Sequence, residues 1–431
     1  MLFRSHDDLS MELDAARDTS GHARLTRAEL VFGSLDPQFK DTPGVSLTGY
    51  IPLLPLNEWT PFLQRAPAVG GDYSDSLPLT LDVQMSELRV LGRKFKDTRI
   101  AGTREATHWN LLASGPDVSG RIEIPRDAAA GVLRLNLDHL HMRRALKAAA
   151  VGKAPELDPR RLPAFEMHCA QFRYGKIELG QADIRTSRHA AGLTLDKLHF
   201  GGEGFNIVAT GDWLVNGEAH QSNFDISVEA KALGALLSRF GYRVANVKHG
   251  ETDIDIQANW NGTPADFALA RINGSFELHV SNGRFLDIDP GTGRLFGLLS
   301  LQALPRRLTL DFEDLFDKGL VFDRIAGVFQ LQDGNAYTNS LLIEGPSARF
   351  DIAGRTGLAA RDYDQHIVVT PALSNSLPLA GALFGPIGAG AGAAYFIGAK
   401  MFKSIPEQMN RLLSRKYTIT GAWDNPVVKR I

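Results

Sequence analysis

Apolar and polar residues alternate over short runs along most of the chain. Clear instances are Leu79-Thr-Leu-Asp-Val83, Gly131-Val-Leu-Arg-Leu-Asn-Leu137, Phe205-Asn-Ile-Val-Ala209, Asp253-Ile-Asp-Ile-Gln-Ala258, Ser275-Phe-Glu-Leu-His-Val280, Leu308-Thr-Leu-Asp-Phe312 and Ala348-Arg-Phe-Asp-Ile-Ala353. A period of two puts alternate side chains on opposite faces of a strand, so these runs predict sheets with one dry face and one wet face. Helical spacing is rarer. It predicts short helices near 57–65, 230–240 and 293–304, the second presenting Leu233, Leu236, Leu237 and Phe240 on one side.

Three stretches echo one another: Leu112–Ile124, Leu198–Gly211 and Leu341–Gly354. Each reads as a strand, a turn around Gly and a return strand. A lone hairpin cannot bury its apolar face, whereas a series of hairpins can. The expected fold is therefore mainly β with a few helices: an elongated, curled antiparallel β-sheet, groove-like, made of repeating hairpins and ending in a helical C-terminal segment. The segmentation that follows is a β-groove over 1–143, a helix or loop joint over 144–163, a continued β-groove over 164–370, a helical segment over 371–415, and a closing strand and tail over 416–431.

The helical end differs in chemistry. Residues 371–399 hold no charge, six glycines and three prolines. Leu379, Leu383, Ile387 and Tyr395 share a helical face, small residues recur at four-residue spacing, and Pro386 kinks or splits the helix. Lys400–Arg415 is basic and amphipathic. The run is long enough to cross a hydrocarbon core of about 30 Å, yet its alanines and glycines add little hydrophobicity. Three readings stay open: a membrane span, a helix packed on its own sheet, or a helix touching a membrane surface.

Composition narrows the function classes. The chain has 431 residues and a formal net charge of −2, which gives no footprint for nucleic acid. Cys169 is the only cysteine, so an internal disulfide and a multi-cysteine metal site are both excluded; it reads as a small core residue. His139 and His141 share a strand face but have no third ligand at metal spacing. Asp362 and Asp364 read as neighbours in a polar turn, not as a catalytic pair. Gly388–Gly392 and Gly291–Gly297 lack the strand–loop–helix context of a nucleotide loop. No catalytic residue, metal or cofactor is expected. The N-terminus has no apolar signal core, so the chain reads as the C-terminal piece of something longer.

Several longer stretches are specific: Asp289–Leu308, Ala360–Gln365, Val369–Ser374, Leu377–Leu383 and Tyr417–Pro426. On these the chain resembles the C-terminal region of the YhdP family of AsmA-like proteins, relatives of TamB from Gram-negative bacteria. The resemblance implies a periplasmic bridge, anchored in the inner membrane by an N-terminal helix upstream of this chain, whose apolar channel carries phospholipid toward the outer membrane. Groove positions expected on that basis are Phe205, Ile207, Phe276, Leu278, Val280, Leu308, Leu310, Phe350 and Ile352. Membrane contact is expected from Leu379, Leu383, Phe384, Ile387, Tyr395, Phe396, Met401 and Phe402, with the outer membrane or its proteins as partner. The competing reading is a non-enzymatic scaffold for envelope assembly that binds proteins instead of lipid.

Overall fold

The computed structural model describes residues 2–5, 9–17, 23–33, 43–56, 77–90, 93–127, 131–143, 158–240, 247–285, 320–371, 414–423 and 425–431. The helices expected near 57–65 and 293–304, the strand holding Leu308 and Leu310, and every proposed membrane-contact residue from Leu379 to Phe402 lie outside these residues.

The described chain is mainly β. Its strands are β1 (Leu2–Ser5), β2 (Leu9–Arg17), β3 (Ala23–Phe32), β4 (Gly44–Pro55), β5 (Leu79–Val90), β6 (Arg93–Arg104), β7 (His108–Ser114), β8 (Val118–Pro125), β9 (Val132–Met142), β10 (Ala164–Tyr174) and β11 (Ile177–His189). The series continues through β12 (Gly192–Gly202), β13 (Phe205–Asn216), β14 (Ala219–Ala230), β15 (Val247–Asn261), β16 (Asn273–Phe285) and β17 (Leu320–Gln332). It ends with β18 (Asn335–Glu344), β19 (Ala348–Gly357), β20 (Asp362–Pro371), β21 (Arg415–Ala422) and β22 (Val427–Arg430). An α-helix, α1 (Leu233–Arg239), falls where the leucine spacing places it. The three echoing stretches lie on β7–β8, β12–β13 and β18–β19.

Two compact units are present. Unit 1 holds residues 1–203 and 212–218; unit 2 holds 204–211 and 219–431. In unit 1 each strand from β1 to β12 pairs with the next. The purely antiparallel expectation needs correction there. The pairs β3–β4, β4–β5 and β9–β10 are parallel, so each second strand starts at the same end of the sheet as the first. In unit 2 the run β14 to β22 is antiparallel at every step.

Two local readings also change. Arg93–Arg104 forms β6, which alternation does not reveal. Asp362 and Asp364 lie on β20, not in a turn, and Asp362 is held at 2.9 Å by Arg355 on β19. The Arg355 guanidinium beside it holds that carboxyl below the usual carboxylate range.

Candidate functional site

Register decides whether apolar residues on separate strands form a surface. In unit 1 they do. Met11, Leu30, Leu47, Leu81, Gly102, Leu111, Ile122, Leu135, Met167, Ile184 and Leu198 are successive cross-strand partners from β2 to β12. Adjacent strands lie about 4.8 Å apart, so this row runs about 48 Å along the sheet. A second row lies two residues away on the same face: Leu9, Phe32, Gly49, Val83, Ile100, Ala113, Gly120, Leu137, Cys169, Ala182 and Phe200. No charged or polar side chain interrupts either row.

Five of the eleven positions in the second row are small: Gly49, Ala113, Gly120, Cys169 and Ala182. Gly49 and Gly120 adopt φ of +112° and +137°, where a side chain is strained, and a Cβ on either would strike the carbonyl of the neighbouring strand. Cys169 and Ala182 are fully buried, and burial pushes the Cys169 thiol up from its ordinary pKa, so it is an inert core group. The first row is more open. Leu47, Leu81, Ile122, Leu135, Ile184 and Leu198 are half-buried, while Leu111 and Met167 are buried.

The opposite face is polar in the same register. Ser46, Thr80, Thr103, Asn110, Glu123, Arg134, Glu166, Arg185 and Lys197 form one row. A second places His168, Asp183 and His199 side by side. His168 Nδ1 lies 2.7 Å from Asp183 Oδ1, and His199 Nδ1 lies 3.3 Å from Oδ2. The hydrogen bond from His168, with those from His199 and Gln181, lowers the Asp183 pKa to about 2.

Unit 1 is curled, not flat, at the strand ends near β6 and β10. Four strand spacings would separate those two strands by about 19 Å in a flat sheet. Yet Arg93, the first residue of β6, reaches the Arg143 carbonyl at 2.7 Å and lies 5.5 Å from the centre of the Tyr174 ring on β10. Asp117, at the tip of the β7–β8 hairpin and 1% exposed, fastens this curl. It accepts the Lys96 backbone N–H at 3.2 Å and the Arg143 guanidinium at 3.0 Å. His139 and His141 also serve the backbone here, each lying 3.0 Å from a carbonyl, of Gly115 and Gly175 respectively. No group of metal-ligating side chains is present among the described residues.

Unit 2 repeats the apolar row with a different degree of burial. Val280, Ile325, Ile343, Phe350 and Val369 form one row across β16 to β20, each at most 1% exposed. Leu341, Ile352, Ile367 and Tyr417 form another across β18 to β21. Of the expected groove residues, Val280 and Phe350 therefore share a row, Ile352 lies in the next, and Leu278 is 5% exposed in the same core. Phe276 is half-buried against Phe329, ring centres 5.5 Å apart. Phe205 is buried under the Arg239 guanidinium at 5.1 Å, and Ile207 is half-buried on the same strand. Buried polar groups interrupt the apolar face of unit 2: Thr252 opposite Val280, Thr338 opposite Gly354, Thr356 opposite Tyr363, and Gln365. Gln365 is fully buried and donates to Thr356 Oγ1 at 2.7 Å, while its Oε1 has no hydrogen-bond partner.

Sequence reasoning did not nominate the unit 1 rows. Each member looks like an ordinary strand residue, and only the pairing register, including three parallel joints, makes them contiguous. No helix among the described residues is long and apolar enough to cross a membrane.

Comparison with known proteins bears on this surface. The intermembrane phospholipid transporter YhdP of Escherichia coli strain K12 is 24% identical over 414 residues. The alignment covers 92% of this chain and 31% of that protein, so the chain spans about a third of the relative's length. No solved structure matches. The family model described as YhdP protein matches residues 1–428, and the chain thus belongs to the YhdP family.

Proposed function

We propose that this chain is a non-enzymatic lipid-conduit segment, the distal part of a periplasmic bridge that carries phospholipid between the inner and outer membranes. The observation that carries the reading is the uninterrupted pair of apolar rows in unit 1, backed by a polar face in the same register. Moving an acyl chain into water costs about 0.8 kcal/mol per CH₂, so two chains face a barrier of roughly 20 kcal/mol or more. A half-open apolar strip about 48 Å long removes much of that barrier without chemistry. The relative's role as an intermembrane phospholipid transporter supports lipid as the cargo. Val280 and Phe350 in unit 2 are each 1% exposed, so the proposed cargo surface is the half-open one of unit 1.

Site-specific photocrosslinking in cells tests the proposal. A photoreactive residue at Leu135 or Ile122 should capture phospholipid. The same residue at Asn136 or Arg121, on the polar face, should not. Equal capture on both faces, or none at Leu135 and Ile122, would remove the conduit reading and favour the protein-binding scaffold.

A further inference from the structure

Beyond the tip of the β7–β8 hairpin, the ends of β6, β9 and β10 converge, and a cation sits among apolar groups there. Arg93 pairs with Val90 across β5–β6 and so shares its face. Val90 and Phe95 pack on Val83, Met85 and Leu88, the core of the apolar face in this region. Arg93 is therefore on the greasy side of the sheet, at its rim. On β10, Tyr174 lies two residues beyond Phe172, whose ring stacks on Phe200 of the second row at 5.2 Å. The stacked Arg93 and Tyr174 pair thus lies about 7 Å along the strand from the apolar track.

The charges around it are unevenly used. Asp117 is engaged by Arg143 at 3.0 Å, by His141 Nδ1 at 3.6 Å and by the Lys96 backbone. Glu87 is engaged by Arg89 and Lys94. Arg93 has a carbonyl and an aromatic face as partners, and no carboxylate pairs with it among the described residues. A guanidinium carries five donors in a fork that fits two oxygens of a phosphate. Arg143 is half-exposed beside it, its own charge paired with Asp117.

We infer that Arg93, stacked on Tyr174 and flanked by Arg143, binds an anionic phosphate ester: the headgroup phosphate of a lipid whose tails lie on the unit 1 apolar face. This rests on the conduit reading and adds a handle to it. The rows run parallel to the strand-end rim, so a lipid with its tails on the rows presents its headgroup at that rim. A cation there holds the phosphate while the tails stay out of water.

The test compares two fluorescent ligands with identical acyl chains, a diacyl phospholipid and the diacylglycerol lacking the phosphate, bound to the full chain. Arg93→Gln should weaken phospholipid binding about tenfold, the scale of one lost charged hydrogen bond. It should leave diacylglycerol binding unchanged. Arg93→Lys should recover part of the loss, which a merely unfolded variant would not. Arg121→Gln, on the polar face, should change neither ligand. If Arg93→Gln binds both ligands like the wild type, the headgroup site is refuted while the conduit stands. If inorganic phosphate protects the Arg93 region but phospholipid affinity ignores the substitution, the site takes free phosphate and the lipid assignment is refuted. If the wild type binds neither lipid, the conduit reading falls and this inference falls with it.

Discussion

Units 1 and 2 use one device at two settings. In both, apolar side chains meet across successive strands and polar ones occupy the reverse face. In unit 2 the row Val280–Ile325–Ile343–Phe350–Val369 is dry to within 1%. In unit 1 the corresponding long row leaves eight of its side chains half-buried. A row that is completely dry stabilises its own fold, at about 1.5–3 kcal/mol for each large side chain. A row left half-open gives up part of that stabilisation and keeps apolar surface available to something else. The difference separates a surface that is finished from one with apolar area still to cover.

The sharpest way to break this contrast is to truncate one large side chain in each row to alanine. Phe350→Ala should cost about 3–5 kcal/mol, as expected for a fully buried ring. Leu47→Ala, in the half-open row of unit 1, should cost about 1 kcal/mol, because part of that side chain is already in water. Hydrogen exchange resolved by strand reads each unit separately. Equal losses of protection would mean that the two rows are equally dry and that the distinction is false.

Much of this fold is legible in the sequence, and the misses have physical causes. Strict alternation located β16 and β19 because their phase holds: Phe276, Leu278 and Val280 face one side without a break, as do Ala348, Phe350 and Ile352. β6 was invisible because Asp97 takes a left-handed conformation, φ 46°, which shifts the phase. Phe95 and Ile100 then contact the same cluster although five residues apart. The register shift between Cys169 and Phe172 does the same on β10. On β20, Gln365 occupies a core-facing position between Tyr363 and Ile367, so a polar letter stands where the pattern requires an apolar one. The candidate site was harder still. Val280 and Phe350 were readable as strand-face residues, but the contiguity of Leu47, Leu81, Leu135 and Leu198 depends on parallel pairings that no local window contains.

Overpacking sharpens the comparison at a smaller scale. Ala182 lies in the second row of unit 1, fully buried between Cys169 and Phe200. Ala182→Leu should cost about 1–3 kcal/mol, since the added carbons have no space. Leu198→Phe, in the open first row of the same strands, should stay within about 0.5 kcal/mol. Both should reduce lipid capture at Ile122 and Leu135 if cargo moves along the rows. The melting temperatures and adduct yields of the two variants separate a stability effect from a blocked track: Leu198→Phe should lose adducts without losing stability.

The smallest expected effect belongs to the polar face and tests whether the two faces of unit 1 are independent. Asp183 is held between His168 and His199, and its folded pKa is about 2 against 3.8 for the free side chain. A depressed carboxylate pKa contributes stability that is fully present above pH about 4 and is lost as pH falls through about 2. The stability gap between the wild type and Asp183→Asn should therefore narrow across that window and hold steady above it. A gap that stays constant from pH 6 to pH 2 would show that the pair of histidines adds nothing to the ionised form. Because Asp183 faces away from the apolar rows, the same substitution should leave lipid capture at Ile122 and Leu135 unchanged at pH 7. A loss of capture there would mean that the polar row shapes the track, and that one face cannot be altered without the other.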